Sequence, residues 1–434
     1  MSSAAVPDAA VLSPITCPFC GLACDDLRSD GAGSVDTRGC PLAAAGFARD
    51  TAAAASARHA VAGAPASLDE AAAAAACLLA AARQPVIAGL SADLAGIRAA
   101  LALADRTGAI IDHARSAAVL TNLAEVQSSG WMTTTFAEVA NRADLILIVG
   151  RDPTPSFPRF FERLVKNPKP LYRAGPPDVV FLGDAGSAPD AVPASSRLAV
   201  RPGELAEAIG ALGLLVAGRT LRRDEAGGVP APALRNLAGR FLAARYSVVV
   251  WDAASLANEG GGLVVDAVTR LVRRLNETTR CAGLPLGGSG NALGAVQAML
   301  WQSGWPVRIS FADGVPVHDP WAYDAMRLLS AGEADALLWV AAIDPQPPPE
   351  AAAGIPTIAV VAGDVTLAAP PAVEIRVGCP GIDHAGTVVR SDTVISLPLA
   401  AARPNAAPSA AQAMQAILSH LPAAAAPAAA GGAE

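Results

Sequence analysis

Residues 67–90 read SLDEAAAAAACLLAAARQPVIAGL, and this run sets the fold class. Ser67-Leu68-Asp69-Glu70 has the form of a capping box, in which a serine hydroxyl and a glutamate three residues on satisfy each other's backbone amides. It opens an alanine-rich helix expected to run to about Ala82. Pro85-Val86-Ile87-Ala88-Gly89-Leu90 follows as a short, continuously apolar run, the form of a strand buried on both faces.

The same alternation extends outward. Ser91 is placed to cap a helix over roughly Ala92–Arg106, Gly108 to end it, and Ala109-Ile110-Ile111-Asp112 to form the next strand. A helix at Phe136–Arg142 leads into the apolar strand Leu145–Gly150. Val179–Gly183, Ser247–Trp251, Ala336–Val340 and Thr357–Val361 repeat the strand pattern. Such runs, separated by helices, imply parallel sheets covered on both faces. The expected architecture is α/β with several lobes, divided in chain order. Residues 1–50 form a small cysteine-bearing subdomain, 51–175 a first lobe, 176–330 a second lobe with a glycine-rich loop, and 331–421 a third segment packing back on the others. Residues 422–434, almost all Ala, Pro and Gly, read as a disordered tail.

Composition narrows the function classes. Of 434 residues 52% are apolar and 16% charged, with a net charge of −7. No basic cluster of the kind that grips nucleic acid is present. No apolar run reaches the roughly 18 residues of a membrane helix, and Met1–Pro14 lacks the pattern of a secretory signal. The expected compartment is the cytoplasm, where thiols stay reduced and free for metals.

Cys17, Cys20, Cys24 and Cys40 are spaced C-x2-C-x3-C-x15-C. Thiolates so placed suit a [4Fe–4S] cluster, with Cys40-Pro41 resembling the ending of some cluster motifs. They also suit a structural zinc ion or a metal-free loop. Asp25 and Asp26 read as solvated acids at a loop start. Gly287-Gly288-Ser289-Gly290-Asn291 precedes a helix at Ala292–Trp301. Its amides could cradle a phosphate, or the run could be a tight turn. Five histidines share no metal-ligand spacing, and no G-x-S-x-G elbow supports independent hydrolysis. Cys77 reads as a buried helix residue, Cys281 and Cys379 as loop residues.

Five segments carry a resemblance. They are Cys17-Pro-Phe-Cys-Gly-Leu-Ala-Cys24-Asp25-Asp26, Phe136-Ala-Glu-Val-Ala-Asn-Arg-Ala-Asp144, the Gly287–Asn291 loop, Trp301-Gln-Ser-Gly-Trp305-Pro306 and Gly381-Ile-Asp-His-Ala-Gly-Thr387. Together they resemble the B subunit of formylmethanofuran dehydrogenase, in the molybdopterin oxidoreductase superfamily, over about residues 15–400. The resemblance implies that superfamily's fold, with the Gly287–Asn291 loop bordering a pterin site. In the family a tungsten- or molybdenum-pterin reduces carbon dioxide, and a Cys-His pair supplies the metal ligand and a catalytic partner.

The corresponding stretch here is His113-Ala114-Arg115-Ser116-Ala117-Ala118-Val119, with neither the cysteine nor its histidine. A methyl group cannot replace a soft thiolate ligand, so the metal-pterin is expected to be absent, unless Ser116 or Asp112 substitutes an oxygen. The departure points to the bacterial branch, the formyltransferase/hydrolase complex of one-carbon metabolism. That branch implies three partners, conventionally lettered A, C and D. The first is a zinc amidohydrolase and the last the formyltransferase, and they share a methanofuran-like formyl carrier. The leading expectation is a non-catalytic structural subunit. A working metallopterin oxidoreductase and a [4Fe–4S] electron relay are the alternatives.

Overall fold

The structure, a computed structural model, describes residues 13–51 and 59–422. The expectations for residues 1–12 and for the tail beyond Pro422 lie outside the described residues.

All seven expected strands form, and they sort into two sheets. The five-stranded sheet runs 197–199, 178–183, 145–150, 247–252, 281–286, every neighbour parallel. The larger sheet has nine strands in the order 317–318, 309–310, 110–111, 85–91, 336–341, 357–362, 373–377, 59–61, 64–66. Its five central strands are parallel, and antiparallel strands close both edges. The strands at 85–91, 145–150, 336–341 and 357–362 are buried along their whole length, which is why they read as unbroken apolar runs.

The chain-order division is corrected by this topology. The boundary expected at 175 cuts the five-stranded sheet between its neighbours 145–150 and 178–183. The segment from 331, expected to pack back on the others, does so by completing the large sheet begun at 59, and its helix Ala410–His420 packs beside Leu94–Thr107. Local periodicity identifies a strand but not its neighbours, because pairing is a non-local choice.

Helices cover the sheets in layers. Leu68–Ala81, Leu94–Thr107, Ala292–Ser303 and Ala410–His420 bury one face of the large sheet, and Ala325–Ser330 covers the other. Leu205–Val216, Ala231–Ala243 and Gly261–Leu275 bury one face of the smaller sheet. Its other face carries Phe136–Arg142, a π-helical turn at Phe161–Val165, and the cysteine subdomain. The capping box at Ser67 forms in full. Asp93, not Ser91, caps the next helix, because the Ser91 hydroxyl is taken by the amide of Asp344 at 2.7 Å. Cys77 is exposed rather than buried, and Cys281 begins a strand rather than sitting in a loop. Among the described residues no helix is long and apolar enough to cross a membrane.

Candidate functional site: a cysteine hollow beside an apolar crevice

The cysteine subdomain is a three-stranded antiparallel sheet, 13–15, 27–29 and 35–36, followed by the helix Pro41–Phe47. Its first loop is closed by the Cys17 amide donating to the Cys24 carbonyl at 2.9 Å. Cys40 sits at the start of the helix. This geometry brings Cys17, Cys20, Cys24 and Cys40 to one hollow walled by Phe19, Leu27 and Arg159. All four are buried. The hollow has a volume of about 10 Å³, enough for one water.

Burial and then Cys20 push the Cys17 thiol well above its usual range, and burial raises Cys20 to about 12. Burial raises Cys24 to about 11, with Arg159 and Arg163 opposing it. Without a metal these three thiols are therefore protonated at neutral pH.

Two observations bear differently on what this donor set fits. Four soft donors share one apolar hollow, yet among the described residues no three His, Cys, Asp or Glu side chains are arranged to hold a metal ion. A tetrahedral zinc needs every sulfur about 2.3 Å from one point. A multinuclear cluster accepts donors further apart. Four buried thiols on one apolar hollow suit a thiophilic metal centre in their chemistry, while the hollow itself has room for one water.

Asp25 is exposed, as expected of a solvated acid, whereas Asp26 is half-buried, and arginines engage both. Asp26 accepts a two-pronged pair of bonds from Arg159, both 2.7 Å, and Arg163 reaches Asp25 at 2.7 Å. Arg159 is 4% exposed and is also held by Glu162. Its hydrogen bond holds Asp26 below the usual carboxylate range. The acids tie the cysteine loop to the π-helical turn. Sequence reading missed Arg159 and Arg163, because their partners lie more than a hundred residues away.

Beside this hollow a crevice of about 330 Å³ opens outside the carboxyl ends of strands 247–252 and 281–286. That is where open parallel sheets bind ligands. Gly287, Gly288 and Ser289 line it, whereas Gly290 and Asn291 do not. The Asn291 side chain donates to the Ala92 carbonyl at 2.9 Å and accepts from the Val389 amide at 3.0 Å. Its φ of 60° and the 63° of Gly290 shape a turn packed against Ser91. Gly287 also joins the crevice to the cysteine loop. The Ser391 hydroxyl lies 2.8 Å from both the Gly21 and Gly287 carbonyls, and a Cβ at Gly21 would lie 1.7 Å from the Gly287 oxygen.

The crevice is mostly apolar. Arg115 is its one cation among the lining residues, and it is engaged by Asp344 at 2.9 Å. Burial raises the Asp252 carboxyl on the same wall. Such a lining offers little to a phosphate-bearing ligand, which needs charge-assisted donors.

The stretch expected to carry a metal ligand runs along this wall. The helix Ser116–Ser129 presents Ala118, Val119 and Asn122 to the crevice, while Asp112 and Ser116 are not part of its lining. Both are buried against Arg308, whose Nε lies 3.2 Å from the Ser116 hydroxyl and 3.6 Å from the Asp112 carboxylate. Asp112 also accepts from the Ala325 amide at 3.2 Å, and Asp324 takes the far end of Arg308 at 2.6 Å. The two candidate oxygen ligands thus belong to a structural ion network. His113 is buried, its Nδ1 accepting from the Arg115 amide at 3.0 Å and its Nε2 without a hydrogen-bond partner among the described residues. Asp383, in the Gly381–Thr387 segment, accepts from Thr51, Asn405 and the Cys379 amide. It anchors the turn that packs on Pro18.

No family model matches the chain. The B subunit of the formyltransferase/hydrolase complex from Methylorubrum extorquens is 35% identical over 331 residues, 76% of this chain and 87% of that protein. The B subunit of a tungsten-containing formylmethanofuran dehydrogenase from Methanocaldococcus jannaschii is 28% identical over 400 residues, 88% and 92% of the two chains. In the crystal structure of the Methylorubrum complex with methylofuran, one chain superposes with a TM-score of 0.71 at 33% identity, covering 83% of this chain and 97% of that one. Likeness of this depth and extent is common descent, and the protein belongs to the B-subunit family of formyltransferase/hydrolase complexes, kin to the B subunit of formylmethanofuran dehydrogenase.

Proposed function

We propose that this chain is the structural B subunit of a formyltransferase/hydrolase complex and catalyses no step itself. The complex would transfer a formyl group from tetrahydromethanopterin to a methanofuran-like amine at its formyltransferase. Water would then cleave that formamide at the zinc of its amidohydrolase, giving formate and the free carrier. The C subunit completes the assembly. One observation carries the non-catalytic role: the wall where a metal ligand would stand is Ala118, Val119 and Asn122, and the nearby oxygens of Asp112 and Ser116 are committed to Arg308. The single engaged cation on that wall supports the same reading against an anionic metal-pterin. An α/β body that once enclosed a cofactor keeps broad surfaces for docking after the chemistry is gone.

A second reading concerns only the cysteines. Cys17, Cys20, Cys24 and Cys40 would hold a [4Fe–4S] cluster, supported by their shared, buried, apolar hollow. A bound cluster supplies four metal–thiolate cross-links to a subdomain with a small core, and one-electron chemistry if a partner stood in reach.

Metal and acid-labile sulfide analysis of the anaerobically purified complex tests both. The expected result is no tungsten or molybdenum. Either metal at one per chain overturns the non-catalytic role. Iron with matching sulfide supports the cluster; their absence sinks it.

A further inference from the structure

Strands 85–91 and 336–341 are neighbours in the middle of the large sheet, and the chain leaves their carboxyl ends towards opposite edges. The first continues through the helix Leu94–Thr107 to strand 110–111 on one side. The second continues past Glu350–Ala352 to strand 357–362 on the other. Open parallel sheets hold ligands outside such a switch point. Here the place is a hollow of about 10 Å³, with Gly89, Ser91, His113, Gly290, Trp339 and Asp344 in its walls. Arg115 borders both this hollow and the crevice.

The backbone bulges beside it. Trp339 pairs with Ala88 but Ala341 pairs with Ser91, so strand 85–91 carries one extra residue. Gly89 and Leu90 absorb it, with φ of 80° and 59°. A bulge re-aims the side chains around it, and Ser91, buried, is among the residues brought to the hollow.

Two donors meet there without acceptors. The His113 ring is 3% exposed. Its Nδ1 accepts the Arg115 amide, so the one proton of the neutral ring is on Nε2. That N–H has no hydrogen-bond partner among the described residues. The Gly290 carbonyl faces it without meeting the geometry of a hydrogen bond. The Ser91 hydroxyl accepts the Asp344 amide at 2.7 Å, and its own proton has no acceptor among the described residues. A buried donor left unpaired is costly. Proteins relieve that cost with water wherever there is room for one and two to four polar groups to hold it. A volume of about 10 Å³ is one water's worth. The walls are fixed: the Trp339 indole donates to the Gln346 carbonyl at 2.9 Å, and Arg115 and Asp344 pair at 2.9 Å.

We infer that this hollow is the site of a single ordered water, which accepts from His113 Nε2 and the Ser91 hydroxyl and donates to the Gly290 carbonyl. The water pins the glycine-rich turn to the ends of two central strands. It also closes the switch point of the large sheet to any ligand of several atoms. The inference does not depend on membership of a complex. Its test is a crystal structure of the full chain, alone or assembled, at a resolution that shows ordered water. One water should lie within about 3 Å of His113 Nε2 and of the Gly290 oxygen. A dry hollow, a direct bond from Nε2 to Gly290, or density for a larger group overturns the inference. A double-variant cycle gives a second readout in solution. His113→Phe keeps a ring and removes the donor, and Ser91→Ala removes the third partner. The two side chains share no direct hydrogen bond, so coupling between them reports the bridge. The urea midpoint of the double variant should fall by clearly less than the sum of the two single shifts. Additive shifts overturn the bridge.

Discussion

Burial pushes the Asp112 carboxyl up to about 7 and the neighbouring His113 imidazole down to about 4. Arg308 and Asp324 face the first, Arg115 and Asp344 the second. Between about pH 4 and 7 native Asp112 keeps a proton that the unfolded chain has released, so its contribution to stability falls as pH rises. Native His113 lacks a proton that an unfolded histidine holds up to about pH 6.5, so its contribution rises over nearly the same interval. The two slopes oppose each other. His113→Asn keeps an acceptor near the Nδ1 position and removes the titration. Its urea midpoint is expected to fall between pH 5 and 7, while that of the unaltered chain changes little; parallel profiles would refute the pairing. Ser116 offers a sharper test of function. Ser116→Ala removes one bond to Arg308, costing about 1 kcal/mol, and should leave formate release by the whole complex within about twofold. A large loss with assembly intact would make Ser116 a working ligand.

Elements report their own existence faithfully and their company poorly. The strands Pro85–Ser91 and Leu145–Gly150 were legible because each is buried on both faces and apolar almost throughout. Nothing local says that the first pairs with 336–341 and the second with 178–183 and 247–252. The same limit explains the site. The four cysteines announce themselves by spacing, whereas Arg159, Arg308 and Ser391 act through partners distant in the chain. Of the glycine loop, its turn was legible, but not that Asn291 faces inward to Ala92 and Val389. Helix starts depend on competition for side chains, so Ser91 yielded to Asp93. Asp93→Ala should therefore cost about 1 kcal/mol through the lost cap on Gly96, measured by denaturant unfolding. Docking between elements makes a stronger demand at Gly21, where an added methyl meets the Gly287 carbonyl backbone. Gly21→Ala is expected to detach the cysteine subdomain, seen as proteolytic cleavage within residues 13–51 while the two sheets stay resistant. Unchanged resistance of that segment would mean the contact is slack.

At the scale of the whole molecule, a crevice of about 330 Å³ with alanine, valine and leucine prominent in its walls is a packing defect unless something fills it. If it is a vacated cofactor site, its walls are free to grow inward. Ala118 is the position to press, since it lies on the wall where a ligand would stand and is also packed against the core of the five-stranded sheet. Ala118→Phe adds a ring where the crevice offers room, gaining apolar burial of about 1–2 kcal/mol less any strain. The expected outcome is a melting temperature unchanged or raised, full assembly with the rest of the complex, and formate release within about twofold. A working cofactor or substrate pocket behaves in the opposite way, because a phenyl group in its wall displaces the ligand and not solvent. Normal stability and assembly with formate release abolished would therefore place chemistry or transport in this crevice, and would remove the structural role proposed for the chain.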